Sequence, residues 1–305
     1  MKNATLRQLR LFAHAAHTLS FADTARALHL TPPAVSIQLK QLEGHVGTDL
    51  FEQIGKRMQL TFAGREMLTH VNAIIDQIRA AEESLRLLQG LEGGELNVGA
   101  ISAGDHFFPY LLAEFRRRHP GIGLKLRIMN REQLHLALLS GELDLGISGR
   151  PPDRADIVGE PFAPHPSVII CHRKHPLAKQ ARVPLAALKG EPFIVRERGS
   201  GTRIAMEETF TKRRVVPVIA MELGSNETIK RAVAAGFGLG FVSAHVIAFD
   251  IRAKRLAVVD VKGFPVMRRW HVIERRNRRL PPAAFAFKRM LLAEGAELIE
   301  AALKR

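Results

Sequence analysis

One cysteine, Cys171, stands in a chain of 305 residues. A lone cysteine closes no internal disulfide, so a bridged secreted scaffold is excluded and a reduced, cytoplasmic setting is expected. Long apolar runs are missing as well. Nothing approaches the roughly twenty residues that cross a bilayer, so no membrane partner is expected. The stretch Met1 to Arg7 leads straight into a helical pattern, with no apolar core and small-residue cleavage site of the kind a secretory signal needs. No low-complexity tract or short-period repeat is visible. No serine nucleophile elbow and no paired-carboxylate motif is present, so an enzyme is not expected. Cys171-His172 with His175 fits no common zinc spacing, so neither a metal nor a resident cofactor is expected. What remains is an ordinary soluble composition, 46% hydrophobic and 25% charged, long enough for two or three compact units.

The formal net charge is +15, which by itself suggests nucleic acid. Its distribution points elsewhere. Residues 1–92 hold 10 Lys/Arg against 9 Asp/Glu, and residues 93–305 hold 35 against 21. A DNA-binding role for the first segment must therefore rest on pattern.

Leu6, Leu9, Phe12, Ala13 and Ala16 keep three-to-four spacing, which predicts an amphipathic helix over 5–17. Ser20 caps a second helix that carries Phe21, Ala22, Ala25 and Leu28 inward. Thr31 caps a third, with Pro32 at its first position, where a missing N–H costs nothing. Val35, Leu39 and Leu42 form its buried stripe. Two short helices, a tight turn and the small Ala25 at their crossing make a helix-turn-helix. The alternative is a three-helix packing unit with no DNA role. The outer face of the third helix, Pro33, Ser36, Ile37, Lys40 and Gln41, is small and lightly charged near its start. It suits the major groove of double-stranded DNA, with Ser36 near base edges, Lys40 near a phosphate, and Thr31, Pro32 and Pro33 also expected at the DNA interface. A hairpin is expected around Gly55-Lys56, presenting Gln53, Lys56 and Arg57 to the backbone or minor groove, or simply to water.

Leu68, Val71, Ile75, Ile78 and Leu85 form a coiled-coil-like seam over residues 62–90, ended by Gly90, Gly93 and Gly94. The seam favours a contact with a second copy of the chain over a helix packed on its own domain. From Glu95 strands and helices alternate: strand 96–101, helix 108–118, strand 124–128, helix 131–139, strand 143–147. That alternation builds mostly parallel sheets with helices on both faces. Further strands are expected near 167–171, 192–195, 218–221 and 239–242.

Three segments offer small residues, hydroxyls and backbone N–H groups at helix starts. They are Ile101-Ser102-Ala103-Gly104, Arg198-Gly199-Ser200-Gly201-Thr202-Arg203 and Gly224-Ser225-Asn226-Glu227, and they are expected to converge on the crevice beyond the strand ends. Helix starts of this kind suit an anion, although any one of them is also explained by plain capping. Arg131, Arg150, Arg196 and Arg203 add guanidinium groups able to grip carboxylate or phosphate in a fork. Gly236-Phe237-Gly238-Leu239-Gly240 follows a helix and precedes a strand, the reverse of a dinucleotide loop, and reads as a helix cap and turn. The clusters Arg116–Arg118, Lys212–Arg214, Arg268-Arg269, Arg275-Arg276 and Arg278-Arg279 read as solvated surface, with DNA wrapping as the sharper alternative.

Ser20-Phe21 through Ala25, Leu28-His29-Leu30-Thr31-Pro32-Pro33-Ala34-Val35-Ser36, Leu42-Glu43, Leu50-Phe51 and Leu60-Thr61 with Gly64 resemble the amino-terminal signature of LysR-type transcriptional regulators. The resemblance extends along the whole chain. It implies an α/β fold with a winged helix-turn-helix at 1–61, a dimerisation helix at 62–90 and a two-lobed, periplasmic-binding-protein-like effector domain at 91–305. By the same resemblance lobe I covers about 93–161 and 268–305, lobe II about 162–267, and the second crossing between lobes falls near 264–268. Dimers that pair into tetramers are implied too. Gln53 departs from the family, where arginine is common.

The effector domain is most similar to the regulators of ribulose bisphosphate carboxylase operons. Gly149-Arg150-Pro151-Pro152, Arg118-His119-Pro120-Gly121, Gly199 to Arg203 and Leu223 to Lys230 carry that similarity. It implies a phosphorylated effector such as ribulose bisphosphate, phosphoenolpyruvate or NADPH, bound near Ser102, Ala103, Arg131, Gly149, Arg150, Arg196, Ser200, Thr202, Arg203 and Asn226. Asp105-His106 stands where those regulators often carry a basic residue and an aromatic, and an acid there is expected to repel phosphate. The competing expectations are a regulator of another operon with a non-phosphorylated effector, and a solute-binding protein of similar two-lobed fold.

Overall fold

A computed structural model of the chain describes residues 3–55, 57–88, 94–150 and 154–304, with backbone alone at 57, 79, 80, 82–84 and 86–88. Helix α1 (Leu6–Thr18) starts at Thr5, whose hydroxyl accepts from the Gln8 amide while the Gln8 side chain accepts from the Thr5 amide. Ser20 caps α2 (Phe21–Ala27) and Thr31 caps α3 (Pro32–Val46), each one accepting from the amide three residues on. His29 turns the chain between them with φ 54°. Phe12, Val35, Leu39 and Leu42 share one core with Ala25, which is 1% exposed; its methyl lets α2 and α3 approach. Strands β1 (Phe51–Ile54) and β2 (Arg57–Leu60) pair antiparallel, so the expected hairpin forms.

Helix α4 (Phe62–Leu88) follows at once. The Gly64 amide donates to the Thr61 hydroxyl, and a Cβ at Gly64 would meet the Leu50 carbonyl, which explains the Thr61–Gly64 pairing in the sequence. The seam expected to face a second chain is divided. Val71 and Ile75 are buried and Leu68 packs beside them, all against the amino-terminal core of the same chain. Phe62 and Leu85 stay exposed on α4. An apolar stripe looks the same whichever neighbour covers it, so periodicity alone assigned the first half of the helix to the wrong partner.

The rest of the chain is β3 (Glu95–Ile101), α5 (Phe108–Arg118), β4 (Gly123–Met129), α6 (Arg131–Leu139), β5 (Leu145–Ser148), β6 (Ile157–His172), β7 (Pro192–Arg196), α7 (Gly201–Lys212), β8 (Val218–Leu223), α8 (Asn226–Ala234), β9 (Leu239–Ser243), α9 (Ala248–Arg252), β10 (Leu256–Val258), β11 (Val266–Arg275) and α10 (Pro282–Lys304). Among the described residues nine strands join in the order β4-β3-β5-β11-β6-β9-β7-β8, with β10 also on β6. β3 runs parallel to β4 and β5, and β7 runs parallel to β8 and β9, so each half is one parallel unit. β6 and β11 are antiparallel to each other and pass through both halves.

The strand expected at 167–171 is thus the second half of β6. Pro161, Pro164 and Pro166 hide its continuity in the sequence, because proline ordinarily marks a strand's end. Lobe I buries Phe107, Phe108, Trp270 and Phe287 under α5 and α10, with α6 on the other face. Lobe II buries Phe193, Phe210 and Phe241 under α7, with α8 opposite.

Several arginines read as solvated surface have internal partners. Arg275 pairs with Asp76 of α4, and Arg278 donates to Asp144 at 3.0 Å and lies 3.5 Å from Asp76. Arg118 forks onto Glu294 at 2.7 and 2.6 Å, and Arg213 donates to the Lys262 and Gly263 carbonyls. These contacts tie elements together and leave fewer cations for wrapped DNA.

Candidate functional site

The amino-terminal unit presents one concave face. A groove of about 800 Å³ lies between α2, α3 and the hairpin, lined by Ser20, Ser36, Lys40, Gln53 and Met58 among others. Thr31, Pro32, Pro33 and Lys40 are exposed beside it, and Ser36 is half-buried. The Thr31 hydroxyl accepts from the Ala34 amide at 3.4 Å, so Thr31 also fixes where α3 begins. Gln53 donates its side-chain amide to the Gly55 carbonyl at 3.1 Å and closes the hairpin turn. Arg57 opens β2, with its backbone alone described, and Lys56 lies outside the described residues.

In the carboxy-terminal domain the expected site residues fall into two groups. The first lines a cavity of about 550 Å³ between the two halves of the sheet. The turn after β5 supplies Ser148, Gly149 and Arg150, the first turn of α6 supplies Arg131, and one face of α7 supplies Gly201, Ile204, Ala205, Glu208 and Lys212. The crossing strands supply Pro161, Arg268, Arg269 and His271. Five cationic side chains and one carboxylate, Glu208, therefore face this space among the described residues.

Arg268 lies deepest, and sequence reasoning missed it. Its guanidinium donates to the Ser167 hydroxyl at 2.8 Å, the Gly201 carbonyl at 3.2 Å and His165 Nε2 at 3.2 Å. Those partners are neutral. Burial lowers its pKa to about 10, against the opposing field of Glu208, so it stays charged at neutral pH. Burial also holds the His165 imidazole neutral, far below its usual range. The ring stacks on Trp270 at 4.0 Å between centroids. A signal was available: in β11 Arg268 sits two residues from the apolar Trp270, on the same side of an alternating strand.

The second group bridges the lobes elsewhere. Arg196 Nη1 donates to Ser102 Oγ at 3.3 Å and Asn226 Oδ1 at 3.1 Å, and its other nitrogens fork onto Glu197 at 2.7 Å each. Asp105 does not line the cavity. It lies by this group, where burial and Glu227 raise its pKa to about 6 against the pull of Arg196. His106 shares a 3.0 Å hydrogen bond with Glu227. The repulsion expected of Asp105 is therefore directed at Glu227.

Arg203 corrects another expectation. It is 6% exposed, pairs with Glu207 and Glu222, and donates to the Arg196 carbonyl at 3.2 Å. All of these partners lie inside lobe II: Glu207 one turn further along α7, Glu222 on β8 and the Arg196 carbonyl at the end of β7. Thr202 and Ala103 are buried, and Ser200 Oγ accepts from the Thr202 amide as the cap of α7. The three segments thus do not converge on one point. Of the ten residues expected around the effector, Arg131, Gly149 and Arg150 line the cavity. The described residues hold no cluster suited to a metal ion and no helix apolar enough to cross a membrane.

Comparison with known proteins matches residues 6–65 to the bacterial regulatory helix-turn-helix protein model of the lysR family, and residues 89–296 to the LysR substrate binding domain. A RuBisCO operon transcriptional regulator of Allochromatium vinosum is 43% identical, covering 97% of this chain and 98% of that protein. The transcriptional regulator CbbR of Xanthobacter flavus is 42% identical, covering 97% of this chain and 89% of its own length. The regulatory domain of Synechocystis CcmR, solved in complex with 2-PG, is 37% identical with a TM-score of 0.63, covering 66% of this chain and 96% of that domain.

Proposed function

We propose, from the premise that this chain belongs to the LysR family of transcriptional regulators, that it controls carbon-fixation genes in response to a small phosphorylated metabolite. The chain is a DNA-binding regulator with an effector domain, not an enzyme. Similarity along nearly the whole length to regulators of the RuBisCO operon supports the choice of genes. The effector rests on one observation. Arg268 is a desolvated cation with neutral partners, in a cavity that four further cations face. A buried charge whose direct contacts are all neutral is costly, and an anion in the cavity offsets that cost. The solved relative that holds 2-PG, 2-phosphoglycolate, supports a phosphate-bearing occupant.

In this reading residues 1–61 bind DNA through Thr31, Pro32, Pro33, Ser36 and Lys40, with Gln53, Lys56 and Arg57 in the wing. Residues 62–90 join two copies, and pairs of dimers form a tetramer in the cytoplasm. Residues 91–305 hold the effector, with lobe I at about 93–161 and 268–305 and lobe II at about 162–267. Arg131, Gly149, Arg150 and Arg268 contact it directly. Ser102, Arg196 and Asn226 brace the lobes, while Ala103, Ser200, Thr202 and Arg203 shape the walls.

Titration calorimetry of the full chain with 2-phosphoglycolate, ribulose bisphosphate, phosphoenolpyruvate and NADPH tests the effector. One of them should bind saturably, and Arg268→Gln should weaken it at least tenfold, since a charge-assisted bond is worth about 1.5–3 kcal/mol. Equal affinity in the variant would remove Arg268 from the site. For the DNA face, Lys40→Ala should lower the salt slope of operator binding by about one per subunit, as for a single phosphate contact. An unchanged slope would place Lys40 off the backbone.

A further inference from the structure

The one carboxylate that lines the cavity among the described residues, Glu208, is placed against an exposed arginine. Arg150 Nη1 lies 2.6 Å from Glu208 Oε1, and both side chains are about half exposed. The pair spans the space between the lobes, since Arg150 follows β5 and Glu208 lies on α7. Arg150 is held in place from its own side. The Ser148 hydroxyl donates to the Arg150 carbonyl at 2.6 Å, which pins the turn that carries it. Glu208 has no second cation among its described ion pairs, whereas its neighbour Glu207 is taken by Arg203.

We propose that Glu208 is the empty site's own anion, seated on Arg150 until an effector phosphate displaces it. This rests on the reading of the cavity as the phosphate site. Among the described ion pairs Glu208 touches Arg150 directly and reaches Arg268 only through its field, so an incoming anion competes with it first for Arg150. Glu208 therefore sets effector affinity without contributing a favourable contact to it. Displacement also breaks a contact between the lobes, while the Ser102–Arg196 and His106–Glu227 contacts at the other group remain. Occupancy at the cavity is thereby converted into a change at one side of the lobe interface.

The test is a double-mutant cycle on the full chain, with 2-phosphoglycolate as the probe and calorimetric affinity as the readout. Glu208→Gln should bind the probe roughly three- to fivefold more tightly, the scale of an exposed ion pair, with a smaller gain at high salt. Arg150→Gln should bind it more weakly. In the Arg150→Gln background, Glu208→Gln should give a clearly smaller gain, since only its field on Arg268 is then removed. Weaker binding by Glu208→Gln overturns the proposal by making Glu208 a ligand contact. An equal gain in both backgrounds overturns it too, because Glu208 would then act as a distant repulsive charge. If the wild-type chain fails to bind the probe, or Arg268→Gln binds it unchanged, the phosphate-site reading itself fails.

Discussion

Gly149 has no room for a side chain. A Cβ there would lie 2.8 Å from two ring atoms of His165, which is wholly buried and stacked on Trp270. His165 in turn accepts from Arg268. A methyl group at 149 must push the imidazole, and the imidazole cannot move without disturbing the guanidinium. Gly149→Ala should cost about 1–3 kcal/mol, the usual scale for overpacking a full site, and weaken effector binding as well. Urea unfolding and calorimetry on the same variant check both parts; wild-type values in each would show that His165 yields freely. At this scale the sequence was partly legible. Gly149-Arg150 was marked by resemblance, and Arg268 was readable from its spacing to Trp270. The neighbour of Asp105 was not readable, because Glu227 lies more than a hundred residues away and only the two-lobed topology brings it close.

Among elements, the contact between α1 and α6 carries its own chemistry. His14 and His17 of α1 face lobe I, with His14 lying 3.9 Å from Glu142. Burial, and then the field of Arg154, lowers the pKa of His17 to about 4; burial and Arg131 do the same for His135 of α6. Both imidazoles are neutral in the docked protein, yet their ordinary pKa is near 6.5. The unfolded chain therefore binds protons first as pH falls. Stability from these histidines is complete above about pH 6.5 and is lost progressively toward pH 4. Thermal unfolding of the full chain between pH 7.5 and 5 should show that loss, and a His17→Gln, His135→Gln double variant should show a shallower one. Identical slopes would mean the two rings reach water. Helix boundaries in this region were legible because Thr5, Ser20 and Thr31 announce them by capping. The docking of α1 on α6 was not, since it joins surfaces with no shared periodicity.

Across the whole molecule one strand joins the cavity between the lobes to α4, which packs on the amino-terminal core. β11 carries Arg268 toward its start and Arg275 at its end, a span of roughly 23 Å at the usual rise per residue. Arg275 pairs with Asp76 of α4. Arg278, also near Asp76, donates to Asp144, which accepts from the Asn97 amide of β3 at 2.9 Å. A movement of lobe I against lobe II would therefore be passed to α4 through Asp76. Asp76→Asn should leave effector affinity within about twofold of wild type, because the residue is far from the cavity. Arg275 keeps the Leu139 carbonyl and Arg278 keeps Asp144, so the fold should survive. What should fall is the coupling: the factor by which effector changes operator affinity should move toward one. Linkage requires that operator DNA then change effector affinity by the same reduced factor. Measuring both arms separates a broken coupling from a damaged site, since damage lowers one affinity outright while lost coupling lowers two ratios together. Undiminished ratios would route the signal around Asp76.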